Sequence, residues 1–305
     1  MILEALKWRI VYLKLSKFYF YWFFRQLFDC SKNEQVNSIS VVVTGRNDNY
    51  GGEFAKRLQT TLDWNLSKLP NPELIYVEWN RIKDVASDCE WISQRYKNSK
   101  CYVIGEDIHE SIATNPKIKM LEYHAKNVGI RKAKNEWILL INADVFLGLD
   151  IAKNIKMLNK NTIYGSHYKN IEWDGNPINE KHVNDKSLIK AFFATNKYLE
   201  SVVGNFILTH KNNWLNATGY DESLTMVRLG VDTNGLKQLL YTGLKTMVLG
   251  HHYHLDHKES ALYGKNDTHG EHDFDNIPYK NPESWGMTNY KEVSIGNNIW
   301  ELKKI

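Results

Sequence analysis

Residues 126–144 read KNVGIRKAKNEWILLINAD, and this stretch decides the fold. Its first half continues a helix that the sequence predicts to begin near Pro116. Its second half contains the uninterrupted apolar run WILLI at 137–141, which is short enough to be a strand buried on both faces. Asn-Ala-Asp follows at 142–144. An acidic residue just past a buried parallel strand lies at the carboxyl edge of the sheet, where open α/β folds bind their ligands.

Asp144 is therefore the first candidate for a metal ligand, because Mg²⁺ and Mn²⁺ bind well to carboxylate oxygens. A carboxylate after a strand can also serve only as a helix cap or a turn former. The residues that help to choose between these roles precede the strand, and they are Asn127, Gly129, Ala133 and Glu136. With the strand and its Asn-Ala-Asp end, this pattern resembles the central motif of GT-A glycosyltransferases, especially the family-two-like enzymes.

The resemblance implies roles for several residues of this stretch. Asn127 would lie near a sugar nucleotide, and Lys126 and Arg131 would face its phosphates. Asp144 would hold the metal on the donor diphosphate. The family's motif is often Asp-x-Asp, and here Asn142 replaces its first acid. Asn142 would then support a metal-bound water or the donor ribose, so the metal would rest mainly on Asp144.

A polar loop, TGRNDNYGG at 44–52, follows the first predicted strand and precedes a predicted helix. Strand, Gly-containing loop and helix make half of a nucleotide-binding βαβ unit, although neither the Walker pattern nor GxGxxG is present. In GT-A enzymes this loop holds the base and ribose. The resemblance assigns these contacts to Thr44, Arg46 and Asp48, with Arg46 also in reach of a phosphate. The alternative is a turn that uses Asn and Gly for conformational reasons alone.

Strands and helices alternate along the chain, which predicts a doubly wound, mostly parallel sheet flanked by helices. By resemblance this is the GT-A fold, in which an acid at the position of Glu78 contacts the base or ribose.

The polar segment 167–188 is predicted as a loop over the active site or as a plain surface excursion. The predicted strands are 36–43, 73–79, 100–104, 137–141, 161–166, 202–210 and 245–249. The predicted helices are 53–66, 84–96, 116–134, 149–158 and 233–242.

A second block that resembles GT-A enzymes ends in Gly-Tyr-Asp-Glu at 219–222. In the family, a Gly-Phe-Asp-Glu-like segment lines the acceptor side. Asp232 opens the helix predicted at 233–242, and in the inverting members an acidic residue at a comparable helix start is the catalytic base. The resemblance makes Asp232 the first candidate for this base, with Asp221 and Glu222 behind it. The alternative for Asp232 is a plain N-cap.

Residues 251–257 read HHYHLDH, with four His and one Asp in seven positions. Alternation along a strand would put His252, His254 and Asp256 on one side. A closed zinc site is one alternative, but no Cys accompanies these residues and their spacing fits no standard zinc pattern. A solvated cluster without a ligand is another. In several GT-A enzymes a His after the last core strand completes the metal shell or touches the diphosphate, and this carries over to His254 and His257.

The N-terminal segment 1–30 is rich in aromatic and basic residues. On a helix, Lys7, Lys14 and Arg25 share one face and apolar residues cluster on another. Its longest uncharged run is too short to span a bilayer, and no signal-peptide pattern is present. We predict an amphipathic helix that lies on an anionic membrane surface through residues 1–29, or one that packs on the domain or on a second subunit.

The net charge of only +4, without a Lys/Arg block in the body of the chain, argues against nucleic acid as a partner. The three cysteines, Cys30, Cys89 and Cys101, have no metal-type spacing and indicate a reducing compartment. We therefore expect a cytoplasmic protein at the membrane periphery.

The predicted parts of the chain are the N-terminal helix at 1–30, a linker at 31–35, the GT-A domain at 36–260, and a C-terminal extension at 261–305 that could form a lid.

The resemblance implies transfer of a hexose-class sugar from a nucleotide donor, expected to be a uridine diphosphate sugar, to a hydroxyl of a glycan or glycolipid. Mn²⁺ or Mg²⁺ would stabilise charge on the leaving diphosphate, and a carboxylate would take the acceptor proton, with inversion expected. A retaining enzyme would need no separate base.

Two other classes of protein stay open. A nucleotidyltransferase would favour a first loop richer in Gly, Arg and Lys. A non-catalytic, membrane-associated sugar-nucleotide-binding protein is kept open by Asn142.

Overall fold

The computed structural model describes residues 33–183, 204–227, 230–257 and 278–305. The helix predicted at 1–30 lies outside these ranges. Within them, no helix combines the length and the apolar character that a membrane crossing requires. The strands are β1 (Glu34–Gln35), β2 (Ile39–Gly45), β3 (Pro72–Trp79), β4 (Ser99–Ile104), β5 (Trp137–Ile141), β6 (Val145–Leu147), β7 (Met157–Leu158), β8 (Thr162–Ile171), β9 (Phe206–His210), β10 (Lys245–Leu255), β11 (Lys291–Gly296) and β12 (Ile299–Lys303). The α-helices are α1 (Phe54–Lys68), α2 (Asp88–Arg95), α3 (Glu106–Ile112), α4 (Glu122–Lys132), α5 (Leu149–Asn154), α6 (Lys211–Ala217) and α7 (Val231–Tyr241).

Ten of the strands in the described residues form one sheet in the order β11-β12-β4-β3-β2-β5-β9-β8-β10-β6. The neighbours β12, β4, β3, β2 and β5 run parallel to one another. β9 runs against β5 and β8, while β10 runs parallel to β8. Seven of the ten strands therefore point in one direction, and only β11, β9 and β6 run against them. The predicted fold class, a mostly parallel sheet flanked by helices, is confirmed.

The strand order reverses at the centre of the sheet. From β2 the chain continues to β3 and β4 on one side, and it later returns to β5 on the other side of β2. The loops that follow β2 and β5 therefore separate at the carboxyl edge and leave a crevice, which is the usual ligand site of such sheets. Residues 46–52 and 142–144 border this crevice.

The central strands divide their side chains between two cores, because successive residues of a strand point to opposite faces. In β5, Ile138 and Leu140 face the core that includes residues of α4, α6 and α7. Trp137, Leu139 and Ile141 face the core that includes residues of α1, α2 and α5. The apolar run predicted as a strand buried on both faces is therefore such a strand.

Several predicted boundaries were wrong. α4 begins at Glu122 and not near Pro116. The helix predicted at 149–158 ends at Asn154, because the chain then forms β7, which pairs with β1. β8 continues to Ile171, so the first part of the predicted loop at 167–188 is a strand paired with β10.

The C-terminal extension contributes to the sheet, which the sequence analysis did not anticipate. β11 and β12 form a hairpin, and β12 pairs in parallel with β4 from Ile299 to Leu302. The segment before this hairpin packs on the helical layer, where Trp285 is buried in the core with α4.

Candidate functional site

Two histidines and one aspartate from distant parts of the chain meet at the carboxyl edge of the sheet. β6 pairs antiparallel with β10, and this register sets His254 opposite Val145. The N–H of Leu255 donates to the carbonyl oxygen of Asp144 at 2.8 Å. Nε2 of His257 lies 3.1 Å from Oδ2 of Asp144, and Nε2 of His254 lies 3.5 Å from the same oxygen. The three side chains predicted as metal ligands therefore lie together.

These three side chains fit a divalent metal. Each offers one ligand atom, and the three atoms lie within 4.8 Å of one another. Burial acts to raise the pKa of Asp144, but hydrogen bonds and charges from His254 and His257 outweigh this effect, and the pKa lies below its ordinary value. The carboxylate is therefore held in the ionised form that metal ligation requires.

The loop that follows β2 lies against this cluster. A Cβ atom at Gly51, where φ is +67°, would collide with the imidazole of His257. Tyr50 meets the same imidazole edge to face, with ring centroids 5.2 Å apart. The buried Arg57 donates to the carbonyl oxygen of Tyr50 at 2.6 Å and to that of Gly52. The predicted nucleotide loop and the predicted metal ligands are thus neighbours across the crevice.

Thr44, Arg46 and Asp48 lie at the end of β2 and the start of this loop. Thr44 is buried. Arg46 donates to Oδ2 of Asp48 at 2.6 Å and to the carbonyl oxygen of Asn80 at 2.9 Å. The side chains of Arg46 and Asp48 keep 16% and 27% of their surface exposed, so this charged pair remains open to a ligand.

Glu78 lies near the carboxyl end of β3, but its carboxylate points into the protein. The residue is fully buried, and its oxygens accept from Oγ of Ser87 at 2.6 Å and from the N–H of Asp88 at 2.7 Å. Burial raises the pKa of Glu78 to about 7, although these two hydrogen bonds act to lower it. Glu78 therefore anchors the start of α2, and its position in this structure does not match the predicted contact with base or ribose.

Lys126 and Asn142 are joined at the end of β5. Nζ of Lys126 donates to Oδ1 of Asn142 and to the carbonyl oxygen of Gly204, each at 3.0 Å. It also forms an ion pair at 2.6 Å with Glu122, which balances its buried charge. Asn142 donates in turn to Oδ1 of Asn205 at 2.9 Å. The amide that replaces the first acid of the family motif thus connects a buried ammonium group to the start of β9.

Asn127 connects the two sequence blocks that carry the resemblance. Its Oδ1 accepts the N–H of Tyr220 at 2.8 Å, and its Nδ2 donates to the carbonyl oxygen of Tyr220 at 2.9 Å. Nδ2 also donates to Oε1 of Glu222 at 3.0 Å, and Glu222 accepts the N–H of Gly286 at 2.8 Å. Asn127 is fully buried, so its described contacts are structural.

Asp221 and Arg131 also bond within the protein. The buried Asp221 accepts from the N–H and Oγ of Ser223 at 2.8 and 2.6 Å. The guanidinium of Arg131 lies 4.8 Å from the ring centroid of Trp285. The described contacts of Arg131 are with the C-terminal segment and not with the crevice, where the sequence predicted it to face phosphates.

Asp232 is the second residue of α7. A Cβ atom at Gly204 would collide with Oδ2 of Asp232, so this carboxylate lies beside the backbone that accepts from Lys126. Burial raises the pKa of Asp232, and the charge of Lys126 acts in the opposite direction. Of the three candidate bases, Asp232 is the one next to the group that Lys126 and Asn142 form.

The sequence analysis missed Asn170, Tyr168 and Arg57. Nδ1 of His254 lies 2.9 Å from Oδ1 of Asn170, and the ring of Tyr168 lies 5.9 Å from that of His254. Residues 167–171 contain no Gly or Pro, and this was a signal that the predicted strand continues. Arg57 gave no signal, because an Arg within a helix normally lies at the surface.

No family model matches this chain, and no curated protein matches its sequence. A structure of S. aureus TarS 1-349 is similar at 13% identity and a TM-score of 0.44, covering 72% of this chain and 60% of that chain. The mannosyltransferase PcManGT from Pyrobaculum calidifontis, in complex with GDP-Man and Mn²⁺, is similar at 13% identity and a TM-score of 0.47, covering 81% and 68%. The catalytic domain of Drosophila beta1,4galactosyltransferase 7, in complex with xylobiose, is similar at 12% identity and a TM-score of 0.46, covering 88% and 93%. These structures are GT-A-type glycosyltransferases, and the likeness concerns the path of the chain alone.

Proposed function

We propose that this chain is a glycosyltransferase that moves a hexose-class sugar from a nucleotide-sugar donor to a hydroxyl of a glycan or glycolipid. The observation that carries the proposal is the meeting of Asp144, His254 and His257 at the switch point of the sheet, against the loop after β2. A sugar nucleotide needs a cation for its diphosphate and a polar loop for its nucleoside, and the crevice has candidates for both.

The donor is proposed to bind with its base and ribose on Thr44, Arg46 and Asp48, and with its ribose or a bound water near Asn142. The exposed ion pair of Arg46 and Asp48 supports this assignment, because it offers donors and an acceptor at the loop surface. A uridine diphosphate sugar is the first donor to test.

Asp144, His254 and His257 are proposed to hold Mn²⁺ or Mg²⁺. A divalent cation supplies a Lewis acid for the negative charge that grows on the leaving diphosphate. Two imidazole ligands favour Mn²⁺, because Mg²⁺ prefers oxygen ligands more strongly. The lowered pKa of Asp144 and the short distances to both imidazoles support this ligand set.

Asp232 is proposed as the base that takes the proton of the acceptor hydroxyl as it attacks the anomeric carbon, with inversion of configuration. The raised pKa of Asp232 supports this role, because a carboxylate with a higher pKa is a stronger base. The two other candidates are less suited, since Asp221 is bonded to Ser223 and Glu222 to Asn127.

The protein is also proposed to be cytoplasmic and to bind anionic membrane surfaces through residues 1–29. Deletion of these residues should release the protein from anionic liposomes in a flotation assay. Unchanged flotation of the shortened chain would contradict this part of the proposal.

The function can be tested by incubating the full chain with a panel of sugar nucleotides and Mn²⁺ or Mg²⁺ while nucleoside diphosphate release is followed. We expect release with a preferred donor, its loss in Asp144→Ala, and its retention in Asp63→Ala. Asp63 is a suitable control because its carboxylate pairs with Arg95 at the surface between α1 and α2. Pyrophosphate exchange would instead indicate a nucleotidyltransferase. Binding without turnover, for every donor and acceptor, would indicate a non-catalytic protein.

A further inference from the structure

His254 has a partner on each of its two ring nitrogens. Nε2 faces Oδ2 of Asp144 at 3.5 Å, and Nδ1 faces Oδ1 of Asn170 at 2.9 Å. Asn170 and His254 are direct neighbours in the parallel register of β8 and β10, so their side chains leave the sheet on the same face. This pairing does not depend on a mobile loop, because both residues belong to strands.

The amide oxygen of Asn170 favours the form of His254 that carries hydrogen on Nδ1. An amide oxygen only accepts, so the Nδ1 that faces it must be the N–H donor. The hydroxyl of Tyr168 also donates to Oδ1 of Asn170. In the neutral ring, a hydrogen on Nδ1 leaves the Nε2 lone pair for a cation shared with Asp144. Without a cation, the contact between Nε2 and Asp144 is instead a hydrogen bond donated by Nε2.

Asn170 itself is exposed, whereas His254 lies in a mostly buried environment that limits ring rotation. His254 is 8% exposed, and the ring centroids of Tyr168 and His257 lie 5.9 and 5.3 Å from that of His254. A buried ring with two neighbouring rings and one hydrogen bond at Nδ1 has little freedom to turn Nε2 away.

We propose that Asn170 is a positioning residue that holds His254 with hydrogen on Nδ1 and Nε2 directed at Asp144, so that His254 can ligate a divalent cation. The inference rests on the metal site of the proposed function. Partners of this kind on the second nitrogen of a ligating His typically change metal affinity by 10–100-fold, as an order of magnitude.

The test compares three variants of the full chain. Asn170→Leu keeps similar volume and removes the acceptor, whereas Asn170→Asp keeps an acceptor oxygen. Asn98→Leu makes the same chemical change at the opposite end of the sheet, where Asn98 bonds to Pro72 and Lys134. Asn170→Ala is the second acceptor-free variant, should Asn170→Leu fail to fold by circular dichroism.

The first measurement is Mn²⁺ affinity, from the electron paramagnetic resonance signal of free Mn²⁺. We expect Asn170→Leu to weaken binding by about 10–100-fold, while Asn170→Asp and Asn98→Leu stay near the wild type. Wild-type affinity in Asn170→Leu would overturn the inference, and so would equal losses in Asn170→Leu and Asn98→Leu. A wild type without Mn²⁺ binding would overturn the metal site and this inference together.

The second measurement needs no metal. In mildly alkaline buffer, ¹⁵N correlation spectra identify the protonated nitrogen of His254, assigned by its loss in His254→Gln. Because Asp144 competes for the hydrogen through Nε2 in every variant, we expect a larger Nδ1–H fraction in the wild type and in Asn170→Asp than in Asn170→Leu. Equal Nδ1–H fractions in the wild type and in Asn170→Leu would overturn the inference. Mn²⁺ binding without sugar transfer would refute the proposed function but leave the role of Asn170 intact.

Discussion

The carboxylate of Asp150 binds one residue, His251, at two points: Oδ2 lies 2.7 Å from Nδ1 and 3.0 Å from the backbone nitrogen. This contact lies at a β-bulge, where the register of β10 against β8 shifts just before His251. A Cβ atom at Gly250 would collide with the same carboxylate. An extra residue in a strand changes the face on which later side chains lie, so the bulge helps to direct His254 toward Asp144.

Removal of the Asp150 carboxylate should therefore affect both stability and the cluster of Asp144, His254 and His257. We expect Asp150→Ala to lower the free energy of unfolding by about 1–3 kcal/mol, because the N–H of His251 loses its acceptor. We also expect weaker Mn²⁺ binding. Urea denaturation and Mn²⁺ titration measure the two effects. Asp63→Ala is the control, and equal results for the two variants would contradict a role for Asp150 in the bulge.

A comparison of two adjacent glycines can distinguish the effect of backbone strain from the effect of contact with His257. Gly51 and Gly52 have φ values of +67° and +74°, so alanine at either position costs about 1 kcal/mol in backbone strain. Only at Gly51 would the new Cβ collide with His257, whereas nothing lies within 4 Å at Gly52. We expect Gly51→Ala to destabilise the protein more and to weaken Mn²⁺ binding, while Gly52→Ala leaves affinity unchanged. Equal affinities in titration of both variants would show that the loop does not support His257.

Glu78 should make stability depend on pH near neutrality. Its pKa is raised by burial from 4.5 to about 7, so the folded protein holds the proton more tightly than the unfolded chain. Its contribution is thus fully present below pH 4.5 and is lost as the pH rises through about 7, with a change of about 3 kcal/mol at most. We expect Glu78→Gln to flatten this part of the stability profile, as measured by urea denaturation across pH.

The control for this profile is Glu90→Gln on the exposed side of α2, which should leave the pH dependence unchanged. A wild-type stability that does not fall between pH 4.5 and about 7 would contradict the assignment of Glu78.

Asn127 should matter for stability because three buried hydrogen bonds depend on its amide. We expect Asn127→Ala to lower the free energy of unfolding by about 3 kcal/mol, since Tyr220 and Glu222 lose partners inside the protein. The exposed Asn98→Ala should change it by less than about 0.5 kcal/mol. If thermal unfolding places both variants near the wild type, the link between α4 and residues 219–222 is not structural.

Asp232 should act in the chemical step and not in metal binding. We expect Asp232→Asn to lower kcat by about 10²–10⁴-fold in the nucleoside diphosphate assay, because the acceptor hydroxyl loses its base. Mn²⁺ affinity should stay at the wild-type value. Asp221→Asn should lower kcat less, since its carboxylate is already bonded to Ser223. Normal turnover by Asp232→Asn would favour another base or a retaining reaction.

Local pattern was enough to predict the central strands and the residues that meet in the crevice. The strand predicted at 137–141 is β5 residue for residue, because a strand buried on both faces must be apolar throughout. Asp144 could be located from the end of that strand, and His254 and His257 from a short stretch rich in His. Their proximity agrees with the prediction, whereas their role as metal ligands stays a prediction.

The directions of several polar side chains could not be read from the sequence. Glu78 and Asn127 occupy the chain positions that the resemblance assigns to ligand contacts, yet both side chains bond within the protein. Arg131 lies on Trp285. Whether a polar side chain faces a crevice or the interior depends on the surrounding elements, and these come from distant segments.

The sequence by itself determined the alternation of strands and helices, the carboxyl edge at which Asp144 lies, and the chemical types of the candidate ligands, since all three leave patterns within a few neighbouring residues. Only the tertiary structure decided that β6 pairs with β10, that β12 extends the sheet beside β4, and that Asn170 faces His254. The physical reason is register: a shift of one residue between two distant strands reverses the face of every side chain, and no local pattern encodes that choice.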